Sequence, residues 1–100
     1  MSYDVVFTVG AQSDLDDIER YLAMRFSERN AERYVGRIVA FCRSLGLAPY
    51  RGTALDALRP SLRSVGMERR VRIVFQVKEA QVVILGVSYA GRLIDFERLG

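Results

Sequence analysis

VRIVFQVKEAQVVILGVSY, residues 71–89, is the stretch that decides the fold. Val71, Ile73, Phe75 and Val77 alternate with Arg72, Val74 and Gln76, which is the two-residue period of a strand with one buried face. Lys78, Glu79, Ala80 and Gln81 make a short polar connection, and Val82 to Tyr89 is almost continuously apolar. Two long strands joined this way predict a β-hairpin. Just upstream, Leu62 to Val65 also alternates apolar with polar residues, so a third strand precedes the pair and the strands form an antiparallel meander.

Toward the N-terminus the period changes. Ala11, Leu15, Ile18 and Leu22 recur at spacings of four, three and four, one stripe of a helix that ends near Phe26. Thr8 stands ready as its N-cap, and Asp14, Asp16, Asp17 and Glu19 concentrate negative charge in its N-terminal part, where the helix dipole favours it. Asp16 and Arg20 are spaced as an i,i+4 ion pair. Ser27 to Asn30 breaks the pattern with capping residues, after which Ala31, Val35, Ile38, Cys42 and Leu45 repeat the spacing up to Gly46. So short a connection predicts an antiparallel helix hairpin. Before it, Tyr3 to Thr8 has the composition of a buried strand. Pro49 to Gly52 is turn chemistry, and the stretch through Pro60 reads as a surface loop with a helical turn near Ala54 to Leu58.

The predicted order is β-α-α-β-β-β: an α+β fold with the helix hairpin on one face of a small antiparallel sheet, Ile38 and Phe75 buried between the layers. One hundred residues, half of them hydrophobic and about a quarter charged, suit a single domain spanning 1–100. The position of the first strand in the sheet does not follow from the sequence.

Composition removes much chemistry. There is no histidine, no tryptophan and one cysteine, so disulfide frameworks, Cys/His zinc sites and histidine triads are excluded, and no metal or cofactor is expected. Cys42 falls on the apolar stripe of the second helix and reads as a core residue. No apolar run approaches the roughly 18 residues that span a bilayer, and the N-terminus lacks a signal-peptide pattern, so the expected setting is the cytoplasm, away from membranes.

Fourteen of the fifteen cations are arginine, and the halves differ: residues 1–50 carry six arginines against seven acids, residues 51–100 eight arginines and Lys78 against five. Arg59, Arg63, Arg69, Arg70 and Arg72 cluster around the strands, with Arg92 just beyond. Alternation sets Arg72 opposite the core face, and antiparallel pairing is expected to bring Arg63 beside it. That surface suits a nucleic-acid backbone or an acidic protein; the alternative is a solvated sheet face with arginine stems covering apolar surface. Arg29, Arg33 and Arg37 form a second stripe on the second helix and read as a solvated face. Tyr21, Tyr34, Phe41 and Tyr50 flank the apolar stripes as core edge. Sequence-specific nucleic-acid binding is not expected, since exposed aromatics do not alternate with the basic residues on one surface.

Several strings resemble the ParE toxins of the RelE/ParE toxin–antitoxin superfamily along nearly the whole chain. They are Val6-Phe7-Thr8 leading to Ala11, Asp14-Leu15 and Ile18; Pro49, Gly52 and Leu58-Arg59-Pro60-Ser61-Leu62-Arg63-Ser64; Arg72 to Val77; and Val87-Ser88-Tyr89-Ala90-Gly91-Arg92. The resemblance implies the same small fold, a bacterial cytoplasmic setting and a cognate ParD-like antitoxin whose acidic C-terminal segment lies in an apolar groove, with Leu22, Tyr34 and Phe41 as candidate groove residues. It also implies a target. RelE-like members cleave mRNA on the ribosome with lysines, arginines and a C-terminal tyrosine, whereas ParE-like members poison DNA gyrase by binding it. Here Lys78 lies in a turn and Phe96 and Arg98 stand where the tyrosine is expected. The main expectation is therefore a non-enzymatic gyrase inhibitor with Arg63, Arg72 and Arg92 as target-binding residues, and the alternative is a RelE-like endonuclease.

Overall fold

The computed structural model describes residues 2–90, and Arg92, Phe96 and Arg98 lie outside the described residues. The elements are β1 (Asp4–Phe7), α1 (Val9–Arg25), α2 (Glu28–Ser44), β2 (Thr53–Ala54), β3 (Leu62–Met67), β4 (Val71–Lys78) and β5 (Gln81–Tyr89). Both helices start where their caps stand. Thr8 Oγ1 accepts a hydrogen bond from the Ala11 N–H at 3.1 Å, and Ser27 Oγ accepts from the Asn30 N–H at 3.1 Å, so each hydroxyl satisfies an N–H that the helix itself leaves without a partner. The predicted Asp16–Arg20 pair is replaced by a neighbouring one: Arg20 bonds Asp17 at 3.0 Å, three residues back.

The strands form one sheet in the order β1-β5-β4-β3-β2. From β2 to β5 all pairings are antiparallel, but β1 lies parallel to β5, with Val5 opposite Val82, so the sheet is mixed rather than wholly antiparallel. The helix hairpin returns the chain to its starting level, where the Tyr3 N–H donates to the Gly46 carbonyl at 2.7 Å. β1 is an edge strand whose residues are alternately exposed and half-buried, which corrects the buried strand that its composition suggests. The stretch after Gly52 also differs from expectation. Thr53 and Ala54 pair with Ser64 and Arg63 as a short edge strand, and the turn that follows closes with the Leu55 N–H on the Leu62 carbonyl at 2.7 Å.

The main core is the one the spacing predicts. Ala11, Leu15, Ile18 and Leu22 of α1 and Ala31, Val35, Ile38 and Cys42 of α2 close on Val71, Ile73, Phe75 and Val77 of β4. A second, smaller cluster lies on the other face, where Leu62, Val74 and Leu85 are buried with Leu55 and Val83 packed against them. β4 is thus apolar on both faces along its middle. Opposite it, Val74 faces Gly86 and Phe75 faces Ile84, so Leu85 is the extra residue of a β-bulge. Just beyond the bulge the Val87 N–H donates to the Asp14 carboxylate at 2.9 Å, which ties α1 to β5. Burial pushes the Cys42 thiol up to about 12, so it stays protonated in the core and is no nucleophile.

Candidate interaction surfaces around the arginines

Arg63 and Arg72 do not share a surface. In the β3–β4 register Arg63 pairs with Phe75 and Gly66 with Arg72, so odd-numbered residues of one strand meet odd-numbered residues of the other. Arg63 therefore leaves the sheet on the helix side, with Phe75, and Arg72 leaves it on the opposite face. The expectation that pairing brings the two together assumed that Leu62, not Arg63, faces the helices; Leu62 instead belongs to the second cluster.

Their surroundings differ as much as their faces. The Arg63 guanidinium is committed to the chain itself: Nε donates to the Arg51 carbonyl at 3.0 Å, and Nη2 to the carbonyls of Tyr50 at 2.7 Å and Gly52 at 3.3 Å. It also lies 5.7 Å from the centroid of the Tyr50 ring. Three carbonyls and one aromatic face make Arg63 a clamp on the turn before β2. Arg72 is exposed, crosses the bare backbone of Gly66, and donates from Nη1 to Ser64 Oγ at 3.2 Å. It stands opposite Ser88 on β5. Arg92 lies outside the described residues and cannot be added to either face.

The groove candidates also separate. Leu22 is 4% exposed inside the main core and offers a partner almost no surface. Tyr34 and Phe41 are half-buried, two turns apart on α2. Tyr34 belongs to an aromatic group: its ring meets Tyr89 edge-on at 5.6 Å, and Tyr21 meets Tyr89 in a tilted contact at 6.1 Å. Arg37 sits 5.3 Å from the Tyr34 ring centroid and pairs with Glu68 in the β3–β4 turn. Ile18, Tyr21, Tyr89 and Ala90 line a cavity of about 180 Å³ next to this group. Phe41 lies toward the other end of the helix, under the Arg51 guanidinium at 5.7 Å.

Burial, with Glu68 nearby, raises the Tyr34 pKa, and its hydroxyl is buried without a hydrogen-bond partner among the described residues. A buried donor left unpaired costs the folded state its desolvation. Tyr34→Phe is accordingly expected to leave stability unchanged or raise it by about 1 kcal/mol, read as an equal or higher thermal midpoint. A clear fall in the midpoint would mean that the hydroxyl is bonded in solution.

Asp14 is the residue that sequence reasoning missed. Its place in the N-terminal part of α1 suggests a charge that complements the helix dipole, yet it bonds β5. The signal was present, because Asp14 sits three residues after Ala11 and four before Ile18, on the stripe that faces the sheet.

These surfaces sit on a fold with known relatives. The family model of the ParE toxin of the type II toxin–antitoxin system, parDE, matches residues 5–94. The chain belongs to the ParE toxin family. Two solved structures match this ParE chain in fold. One is the chromosomal ParDE toxin–antitoxin system from P. aeruginosa, with a TM-score of 0.76, 23% identity, and coverage of 89% of this chain and 97% of that one. The other is the toxin–antitoxin complex RelBE2 from Mycobacterium tuberculosis, with a TM-score of 0.71, 23% identity, and coverage of 92% and 95%. At that identity the likeness shows the fold alone. No curated protein sequence matches the chain. No helix among the described residues is long and apolar enough to cross a membrane.

Proposed function

We propose that this ParE-family chain works as a single cytoplasmic domain that arrests growth by binding DNA gyrase, and that a ParD-like antitoxin neutralises it. The observation that carries the choice of target is the divergence of Arg63 and Arg72. Cleaving a phosphodiester without a metal calls for several donors converging on one phosphate, together with groups that move protons to and from the ribose and the leaving oxygen. Arg63 spends its donors on backbone carbonyls on the helix side, and Arg72 stands on the other face beside a serine hydroxyl and a bare glycine. That arrangement supports contact by an exposed guanidinium more than it supports chemistry.

Purified protein is expected to inhibit gyrase supercoiling and trap cleaved DNA, while leaving ribosome-bound message intact. Arg72→Ala should keep the fold and weaken gyrase inhibition by about tenfold, the scale of one exposed arginine at an interface. Arg63→Ala should act differently, lowering the thermal midpoint through loss of the clamp. Message cleavage by the wild type that disappears in Arg72→Ala, with gyrase unaffected, would replace this reading with the RelE-like endonuclease.

A further inference from the structure

Charge is sorted along the helix hairpin. Near the hairpin turn, Asp16, Glu19, Glu28 and Glu32 line a shallow groove between α1 and α2 together with Arg20 and Ala23. From residue 33 to residue 55 the sequence holds no carboxylate and carries Arg33, Arg37, Arg43 and Arg51. Arg37 is paired with Glu68. Arg43 and Arg51, at the far end of the hairpin, have no ion-pair partner among the described residues. Each instead lies over an aromatic face, Arg43 5.5 Å from the Phe7 centroid and Arg51 5.7 Å from that of Phe41. Around them stand two large apolar side chains with little cover, Leu47 at 77% and Tyr50 at 65% exposure.

This rim is also held in place. Arg63 fixes the carbonyls of Tyr50, Arg51 and Gly52, and the neighbouring Tyr50 side chain raises the Tyr3 pKa, chiefly through hydrogen bonding. Asp4 shares a hollow with Arg43, Gly46 and Leu47 without forming an ion pair with Arg43, and Asp56 is engaged by the Ser61 N–H. Preset tyrosine and arginine side chains with exposed apolar neighbours have the makeup of a binding hot spot, and guanidiniums without carboxylates call for a partner that brings them.

We propose that the rim formed by Arg43, Leu47, Tyr50 and Arg51 is the seat of an acidic amphipathic segment of the antitoxin. Apolar side chains of that segment cover Leu47 and Tyr50, and its carboxylates take the two guanidiniums. The groove at the other end of the hairpin is excluded as its seat, because Asp16, Glu19, Glu28 and Glu32 repel an acidic chain. The inference rests on the reading of this chain as a toxin held by an antitoxin, and it adds where the contact falls.

The test uses the full chain and the ParD-like antitoxin proposed above as its partner. Calorimetric titrations at low and high salt compare the wild type with Arg43→Glu/Arg51→Glu at the rim and Glu28→Lys/Glu32→Lys in the groove, with circular dichroism as the check on folding. The rim variant is expected to lose about 100-fold in affinity, the wild type to weaken with salt, and the groove variant to bind as well as the wild type or better. Amide exchange on the wild-type complex needs no variant and should show new protection at residues 43–51. Rim-variant affinity within a few-fold of the wild type, the loss falling on the groove variant, or protection confined to residues 16–32 would overturn the proposal. Growth arrest in cells lacking the antitoxin scores the toxin reading separately: a wild type that arrests nothing refutes toxicity and leaves the binding result to stand or fall alone.

Discussion

Phe75→Ala is expected to remove about 3–5 kcal/mol of stability, the cost of emptying a fully buried aromatic site. Domains of this kind are held by roughly 5–15 kcal/mol in total, so a variant that folds at all should do so with little to spare. Phe75 has 0% exposure, belongs to the main core that joins α1 and α2 to the sheet, and pairs with Arg63 on β3 and Ile84 on β5. It stands where the bulge shifts the β4–β5 register, so neighbouring strands cannot close over the gap without disturbing the bulge. Urea unfolding of the purified variant measures the loss. A partner that binds only the folded state adds stability in proportion to the logarithm of its concentration over its dissociation constant, so the antitoxin should rescue soluble expression of this variant. A loss below about 1 kcal/mol would show that the helix layer repacks onto β4, contrary to the close packing expected of such a core.

The helices and the β3–β5 meander were legible because their signals are local. Periods of four and three residues with Thr8 and Ser27 in capping positions, and the alternation from Val71 to Val77, each lie within one element. What escaped the sequence depends on pairing across the chain. The parallel partner of β1 is separated from it by the helix hairpin and the whole meander, and no spacing encodes that. The faces of Arg63 and Arg72 depend on the β3–β4 register, and a slip of one residue would reverse either. The second cluster did leave a trace. Val74 interrupts the apolar–polar alternation of β4 and Leu85 lies in a nearly unbroken apolar run, and a strand apolar at successive positions is one covered on both faces. The role of Arg63 as a clamp was hidden by its charge: an arginine beside a basic cluster reads as a contact residue until the carbonyls around it are located.

Gly52→Ala is the substitution that tests that clamp from the backbone side, and its expected cost is at least about 2 kcal/mol, beginning with roughly 1–2 kcal/mol for an L-residue held in the left-handed region. Gly52 has φ +77, and a Cβ built there would lie 2.1 Å from the Ser64 carbonyl oxygen and 2.9 Å from Val65 Cβ. Neither neighbour is a flexible side-chain end. Ser64 is paired with Thr53, so relief requires β2 to part from β3, and the move carries away the carbonyls of Tyr50, Arg51 and Gly52 that hold the Arg63 guanidinium. Gly36→Ala is the matched control. Gly36 lies within α2 with open space where its Cβ would be, so the same added methyl should raise stability by about 0.5–1 kcal/mol through helix propensity. Thermal unfolding of the two variants should therefore shift in opposite directions. If Gly52→Ala melts with the wild type, the turn accepts a side chain, and the carbonyl clamp around Arg63 is too loose to preset Tyr50 and Arg51. If it melts early while the gyrase inhibition proposed to depend on Arg72 is found to persist at low temperature, the clamp and the exposed arginine act independently, as their positions on opposite faces of the sheet require.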